Sequence, residues 1–269
     1  MKSLLTFYCF LLFTASCFAQ NNKEGFYLFK ADWTPEKNIN KATFFMHLVK
    51  ESDTEFVCRY YQKLGPMIRQ ESYKDEKLEV PNGVFIWYNK EGKIDSMGNV
   101  VNNLRNGKWN FYDQNFNASY AIEYDNGVEV KKEDFSKKKA SEIKVASKVD
   151  SIPKTGDSIK VFTVVQIPAE FPGGTKGWQD YLSHNVKTPD RFINMSPKSG
   201  ARATNEVSFI INKKGKIKDV FLLKSCEWSV DMETLRVIKN APDWKPAVQN
   251  GREVIYRHRQ SLTYVVSPN

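Results

Sequence analysis

A recurrence of aromatic residues at a shift of 24 positions constrains this chain more than any other feature. Gly83, Phe85, Trp87 and Tyr88 in NGVFIWYNKEGKIDSMGNV return as Gly107, Trp109, Phe111 and Tyr112 in NGKWNFYDQNFNASYAIEY. A fainter copy, Tyr60, Tyr61, Gly65 and Tyr73, precedes Trp87, Tyr88, Gly92 and Val100 by 27 residues. Large apolar side chains at every second position suit a pleated strand with one buried face, and Asn-Gly tolerates the positive φ of hairpin turns. Each copy therefore predicts a β-hairpin that buries its aromatic face only by stacking on the next. The segment from Gly25 to Val57, with the apolar clusters FYLF and ATFFMHLV, predicts further strands of the same unit. His47 there, close to Phe44 and Phe45, reads as a packed side chain rather than a metal ligand.

These repeats resemble the MORN-like repeats of bacterial envelope proteins, built as NGxWxxYxxxG, over roughly residues 60–130. A stripe of rings at period two can fill a core or offer a stacking platform to a glycan. The core reading is favoured, because large apolar residues in that pattern usually pack inward.

The chain opens MKSLLTFYCFLLFTASCFAQ, with Lys2 ahead of an uncharged apolar run from Leu4 to Phe18 and a small residue, Ala19, closing it. That is the pattern of a secretory signal, so residues 1–19 predict export and cleavage, with the mature chain in the periplasm. Two alternatives stand beside cleavage: lipidation of Cys17, or retention of the segment as an anchor. The remaining cysteines, Cys58 and Cys226, are too far apart to suggest a disulfide framework and read as buried small hydrophobes. About 250 mature residues, at 41% hydrophobic and 13% aromatic, suit two domains with cores of their own.

Between the domains, residues 131–160 carry nine lysines against five acids with no sustained apolar period, and residues 131–163 read as a linker that keeps the domains apart. This block locates much of the net charge of +9. Its lysines are not interleaved with stacking residues, so nucleic acid is not an expected partner. The division is 20–130 for the repeat domain and 164–269 for the second, giving an α+β chain overall: stacked hairpins, then helix, two-strand hairpin, helix and edge strand.

In the second domain, Thr175 to Val186 predicts a helix after Gly173-Gly174, with Trp178 and Leu182 inward. Val207, Phe209 and Ile211 predict one strand, Ile217 to Leu223 its return, and Lys213 to Lys216 the turn. Val230 to Asn240 predicts a second helix with Ser229 as N-cap and Asp231 and Glu233 in the first turn. Pro242 ends that helix, Trp244 and Pro246 stiffen a turn, and REVIYRHRQSLTYVV predicts a final strand.

Several spaced elements here carry a second resemblance. EFPGG, with Phe171, Pro172, Gly173 and Gly174, then Tyr181-Leu182, KKGKIKDV, DMETLRVIK and APDWKPAVQNGREV, with Trp244 and Pro246, are similar in content and order to the TonB C-terminal domain in its Bacteroidetes-type version. The likeness spans roughly Val165 to Val266. It implies a periplasmic energy transducer that captures an extended segment of an outer-membrane TonB-dependent transporter by strand addition. It also implies an inner-membrane complex, reachable only if the leader is uncleaved. Against the family pattern, Ala203 and Asn205 replace a glycine and a valine, and Thr188-Pro189 replaces Tyr-Pro.

Strand addition has a physical basis of its own, because a sheet edge offers unpaired N–H and C=O groups. In a three-stranded antiparallel sheet the last strand is the natural edge. Val254, Tyr256, His258 and Gln260 share one face; Ile255, Arg257 and Arg259 share the other, where two arginines favour an acidic guest or form a solvated face. The same edge permits a homodimer by sheet extension.

The sequence holds no HExxH, GxSxG or P-loop, and its three histidines are scattered. It predicts a non-enzymatic protein without metal or cofactor. The alternative function is an envelope scaffolding module that binds protein or glycan through the aromatic repeats.

Overall fold

The structure, a computed structural model, describes residues 24–114, 117–135, 161–195 and 200–266. The leader at residues 1–19 and most of the lysine-rich segment lie outside the described residues. Ten strands form the first sheet: β1 (Glu24–Phe29), β2 (Pro35–Glu36), β3 (Phe44–Ser52), β4 (Glu55–Gln62), β5 (Met67–Tyr73), β6 (Gly83–Tyr88), β7 (Ile94–Val101), β8 (Leu104–Tyr112), β9 (Ala118–Asp125) and β10 (Val128–Asp134). Their order, β10-β9-β8-β7-β6-β5-β4-β3-β1-β2, is antiparallel and runs through neighbours in sequence from β10 to β3, after which β1 lies between β3 and β2. The repeat therefore corresponds to one pair of strands, with β6 and β8 equivalent and β7 between them.

Some turns fall elsewhere than the sequence suggests. Tight reversals occur at Asn102-Asn103 and Asn126-Gly127, all with positive φ. Asn106-Gly107 instead lies inside β8, where Gly107 (φ 68°) accompanies a register shift against β7, the geometry of a bulge. Gly83 (φ 118°) opens β6 against Ser72, and a Cβ there would lie 2.8 Å from the Ser72 Cβ. Asn82-Gly83 and Asn106-Gly107 thus mark the start and a kink of aromatic strands rather than hairpin loops, while Asn126-Gly127 is a hairpin turn as the sequence suggests.

Side chains of one face of this sheet lean on each other. Trp109, 1% exposed, lies against Gly98, where a Cβ would come within 2.2 Å of the indole, and its Nε1 donates to the Asn99 carbonyl at 3.0 Å. Arg105 covers the same ring at 4.4 Å. Neighbouring rings meet at angles, Phe85 with Trp87 at 35°, Trp87 with Trp109 at 40° and Trp109 with Tyr124 at 79°. A ladder of tilted rings is packing, whereas a stacking platform needs faces turned outward.

The second unit contains β11 (Val161–Phe162), α1 (Gly174–Asn185), α2 (Asp190–Met195), β12 (Arg202–Ile211), β13 (Ile217–Lys224), α3 (Trp228–Lys239), β14 (Ala247–Gln249) and β15 (Arg252–Val265). Its sheet runs β11-β15-β12-β13, with β14 also on β15. It is mixed rather than purely antiparallel, since β11 adds to β15 in parallel. The hairpin turn between β12 and β13 falls at residues 212–216, as the sequence predicts. The cap of α3 differs: Glu227 is the N-cap, its Oε1 accepting from Val230 N at 3.0 Å, and Ser229 is the second residue of the helix. A longer side chain one residue outside the apolar run reaches the free N–H groups that a serine inside it cannot.

The two units are not held apart. Phe45, Tyr61, Ile86, Tyr88 and Ile94 from the repeat sheet share one buried cluster with Phe209, Leu222, Leu235 and Trp244 from the second. A single-layer sheet must bury its second face against something, and here the other domain supplies it. Polar contacts fix the join: Tyr88 Oη donates to the Leu222 carbonyl at 2.9 Å, Met67 N to Ser225 Oγ at 2.7 Å, and Ser225 N to the Gly92 carbonyl at 2.8 Å. At its rim Lys239 reaches Glu51 at 2.6 Å, and Arg191 donates to the Lys63 carbonyl at 2.7 Å. None of these pairs is close in sequence, so no local pattern announces them.

Candidate functional site

The two motif stretches that lie far apart in the chain meet in space. Glu170 and Lys245 exchange backbone hydrogen bonds at 3.0 and 2.8 Å, which brings EFPGG beside APDWKP. Phe171 and Trp244 then pack edge to face, their centroids 5.5 Å apart, with Trp178 5.0 Å from both. Gly173 (φ 82°) and Gly174 (φ 67°) reverse the chain into α1, and Pro172 and both glycines line a shallow groove with Glu170 and Lys245. Trp244 N donates to the Gly215 carbonyl at 2.9 Å, and a Cβ at Gly215 would stand 1.9 Å from the Trp244 carbonyl oxygen. The turn that contains Trp244 and Pro246 is thereby locked to the β12–β13 hairpin.

This framework supports β15. The strand pairs with β12 from Tyr256↔Ile211 to Val265↔Arg202 without a break. Its opposite side is taken near the start by β11, with Val161 against Ile255 and Phe162 against Tyr256, and β14 also pairs with its first residues, Ala247 against Val254. Beyond Tyr256, from Arg257 to Val265, no described strand lies on that side. The open edge is therefore shorter than the sequence suggests: Tyr256 sits in its closed part, and Val254 is paired with β14. The parallel two-residue strand β11 was invisible in the sequence because it lies at the end of the polar segment.

The alternation of side chains holds, but their environments differ from expectation. His258 packs between Phe209 and Trp244, each 5.1 Å away, and burial lowers its pKa. Gln260 Oε1 accepts from Trp178 Nε1 at 2.8 Å, so this residue ties the edge strand to α1. On the other face Arg257 is buried at 4% exposure, where it donates to Ser208 Oγ at 3.1 Å and lies 5.4 Å over the Phe221 ring. It forms no solvated face, being buried beside Ser208 and Phe221. Arg259, two residues on, is exposed.

Asn205, which departs from the family pattern, is fully buried. Its Nδ2 donates to Asp231 Oδ1 at 3.0 Å and to Thr234 Oγ1 at 3.1 Å, while its Oδ1 accepts from the Cys226 thiol. An amide at this place is matched by the polar side chains of α3, where a valine would leave Asp231 short of a donor. Burial raises the thiol pKa of both Cys58 and Cys226, which are free. Among the described residues there is no group of three or more His, Cys, Asp or Glu placed to hold a metal ion.

Fold and edge together define a small α+β module with a mixed sheet and one partly open border. Residues 194–266 match the family described as Gram-negative bacterial TonB protein C-terminal, so the chain carries a TonB C-terminal domain there. The match does not extend to the repeat sheet. No curated protein and no solved structure matches the chain.

Proposed function

We propose that this is a non-enzymatic periplasmic protein that binds extended segments of outer-membrane TonB-dependent transporters by strand addition along Arg257–Val265. The observation that carries the reading is an open edge on the last strand of a domain matched to the TonB C-terminal family. A guest strand there draws its affinity from backbone hydrogen bonds, and side chains on the two faces select it. His258, Gln260 and the helix side offer an apolar and amide surface; Arg259 on the other face suits a carboxylate. Export, with the leader cleaved after Ala19, places the protein in the same compartment as those segments. The repeat domain, MORN-like in its recurrence, acts as a rigid brace behind the sheet, and the tilt of its rings disfavours a glycan platform.

The test uses titration calorimetry with peptides tiled over the periplasmic segments of the host's outer-membrane transporters. Proline is placed at Arg259 and, in a second variant, at Gln260. Of two neighbouring residues in a strand, one turns its N–H toward β12 and the other outward. The outward one should abolish peptide binding with the fold intact; full affinity in both variants would reject edge binding.

A further inference from the structure

The open part of β15 offers a guest strand the same backbone groups at every second residue, so hydrogen bonds alone do not fix where pairing begins. Val266 N donates to the Ala201 carbonyl at 3.0 Å, in the register that joins β12 to β15 throughout. Neighbouring residues of a strand turn their N–H groups to opposite sides, so Arg259, Ser261, Thr263 and Val265 present theirs away from β12. All four are exposed. A guest on such a ladder slides by two residues and loses only the bonds at its trailing end, and a slip of one residue exchanges its two faces.

β11 breaks this uniformity at one end. Val161 stands beside Ile255 and Phe162 beside Tyr256, after which the chain leaves the edge. A two-residue strand holds little by itself. Here Val161 is anchored by burial, at 2% exposure, and the segment that follows is tied down as well. Gln166 N donates to Gln249 Oε1 at 3.0 Å, and Gln166 Oε1 accepts from Asn250 N at 2.8 Å. Ile167 and Val248 exchange backbone bonds at 3.1 and 2.8 Å, and Val165 packs on the common core. Residues 165–170 thus fasten β11 to β14 and to the turn before β15.

We propose that β11 is an end-stop that sets the register of the guest: an extended segment of roughly nine residues fills Arg257–Val265 with one end against Phe162 and does not reach Tyr256. This rests on the reading of β15 as a binding edge. Sliding away from the stop forfeits hydrogen bonds, and sliding toward it meets an occupied edge. One register therefore keeps the most bonds, and the faces beside His258 and Arg259 are assigned to fixed residues of the guest. Selectivity that a uniform backbone does not supply comes from two residues that lie outside the family match at 194–266.

The test uses the full chain and the tightest of the tiled transporter peptides, carrying a nitroxide at one end and then at the other. In the wild-type protein, paramagnetic relaxation should place each end at one position along β15, and hydrogen exchange of the Phe162 amide should not change on binding. Val161→Gly removes the buried anchor. Its Phe162 amide should exchange on the order of tenfold faster without peptide, and each nitroxide should then reach positions two residues apart. Faster Phe162 exchange on binding to the wild-type protein, with a peptide end beside Ile255, means that the guest displaces β11; it overturns the end-stop and leaves edge binding intact. A single register in Val161→Gly overturns it too. Failure of every peptide to perturb Arg259 to Val265 rejects the edge reading and the end-stop with it. Should Val161→Gly not fold, peptides lengthened by two residues at either end decide with wild-type protein: unchanged affinity supports the stop, and a gain of about tenfold at one end refutes it.

Discussion

In the repeat sheet every strand from β3 to β10 lies beside its neighbour in the chain, whereas in the C-terminal sheet Val161 lies beside Ile255. The first arrangement forms from local hairpins and can be extended by repetition. The second needs segments from both ends of the domain before any edge exists, so its order is set by long-range closure. Yet the repeat sheet is the incomplete one, because one of its faces is finished only by the other domain.

The largest effect should come where the two share a core. Trp244→Ala removes a 5% exposed indole from the cluster common to both, at a cost of about 4 kcal/mol. Urea unfolding followed by far-ultraviolet dichroism and by fluorescence should give one coincident, weakened transition; if only part of the signal moved, the units would be independent.

Gly92→Ala sharpens the contrast further. Its φ is +76°, and a Cβ there would lie 2.2 Å from the Ser225 carbonyl oxygen, so the turn before β7 must withdraw from the other domain. A loss of about 3 kcal/mol is expected. Unfolding should then split into two transitions, with the local repeat sheet and the C-terminal domain melting apart.

Glu227→Ala should cost about 1 to 2 kcal/mol, because it removes the α3 cap and the 3.2 Å pair with Arg191. Differential scanning calorimetry would show the shift, with hydrogen exchange localising it to the first turn of α3. The smallest effect is Arg259→Glu at an exposed position of the open edge. Stability should change by less than about 0.5 kcal/mol, while affinity for an acidic guest peptide falls roughly fivefold and that for a neutral one does not.

What the sequence made legible follows the same division. The recurrence of Gly83, Phe85, Trp87 and Tyr88 revealed the strand pairs, because local periodicity reports local structure. Phe171, Gly173, Gly174 and Trp244 stood out through the resemblance to the TonB C-terminal domain and proved to lie together. The joint left no such trace: Asp231 reads as a helix-start acid, and its tie to Met67 runs through Ser225, 158 residues away. Arg257 looked solvated because alternation assigns a face but not what covers it. Asn205 looked like a mere departure until its partners on α3 were in view.

The unbroken register of β12 and β15, ten residue pairs from Tyr256 to Val265, bears on mechanics. Interstrand hydrogen bonds lie across the strand axis. A guest tugged along β15 would load all of its bonds at once, in shear, and the same pull would pass to β12 across a long seam rather than peel it from one end. Such an edge grips best in the direction in which the strands run.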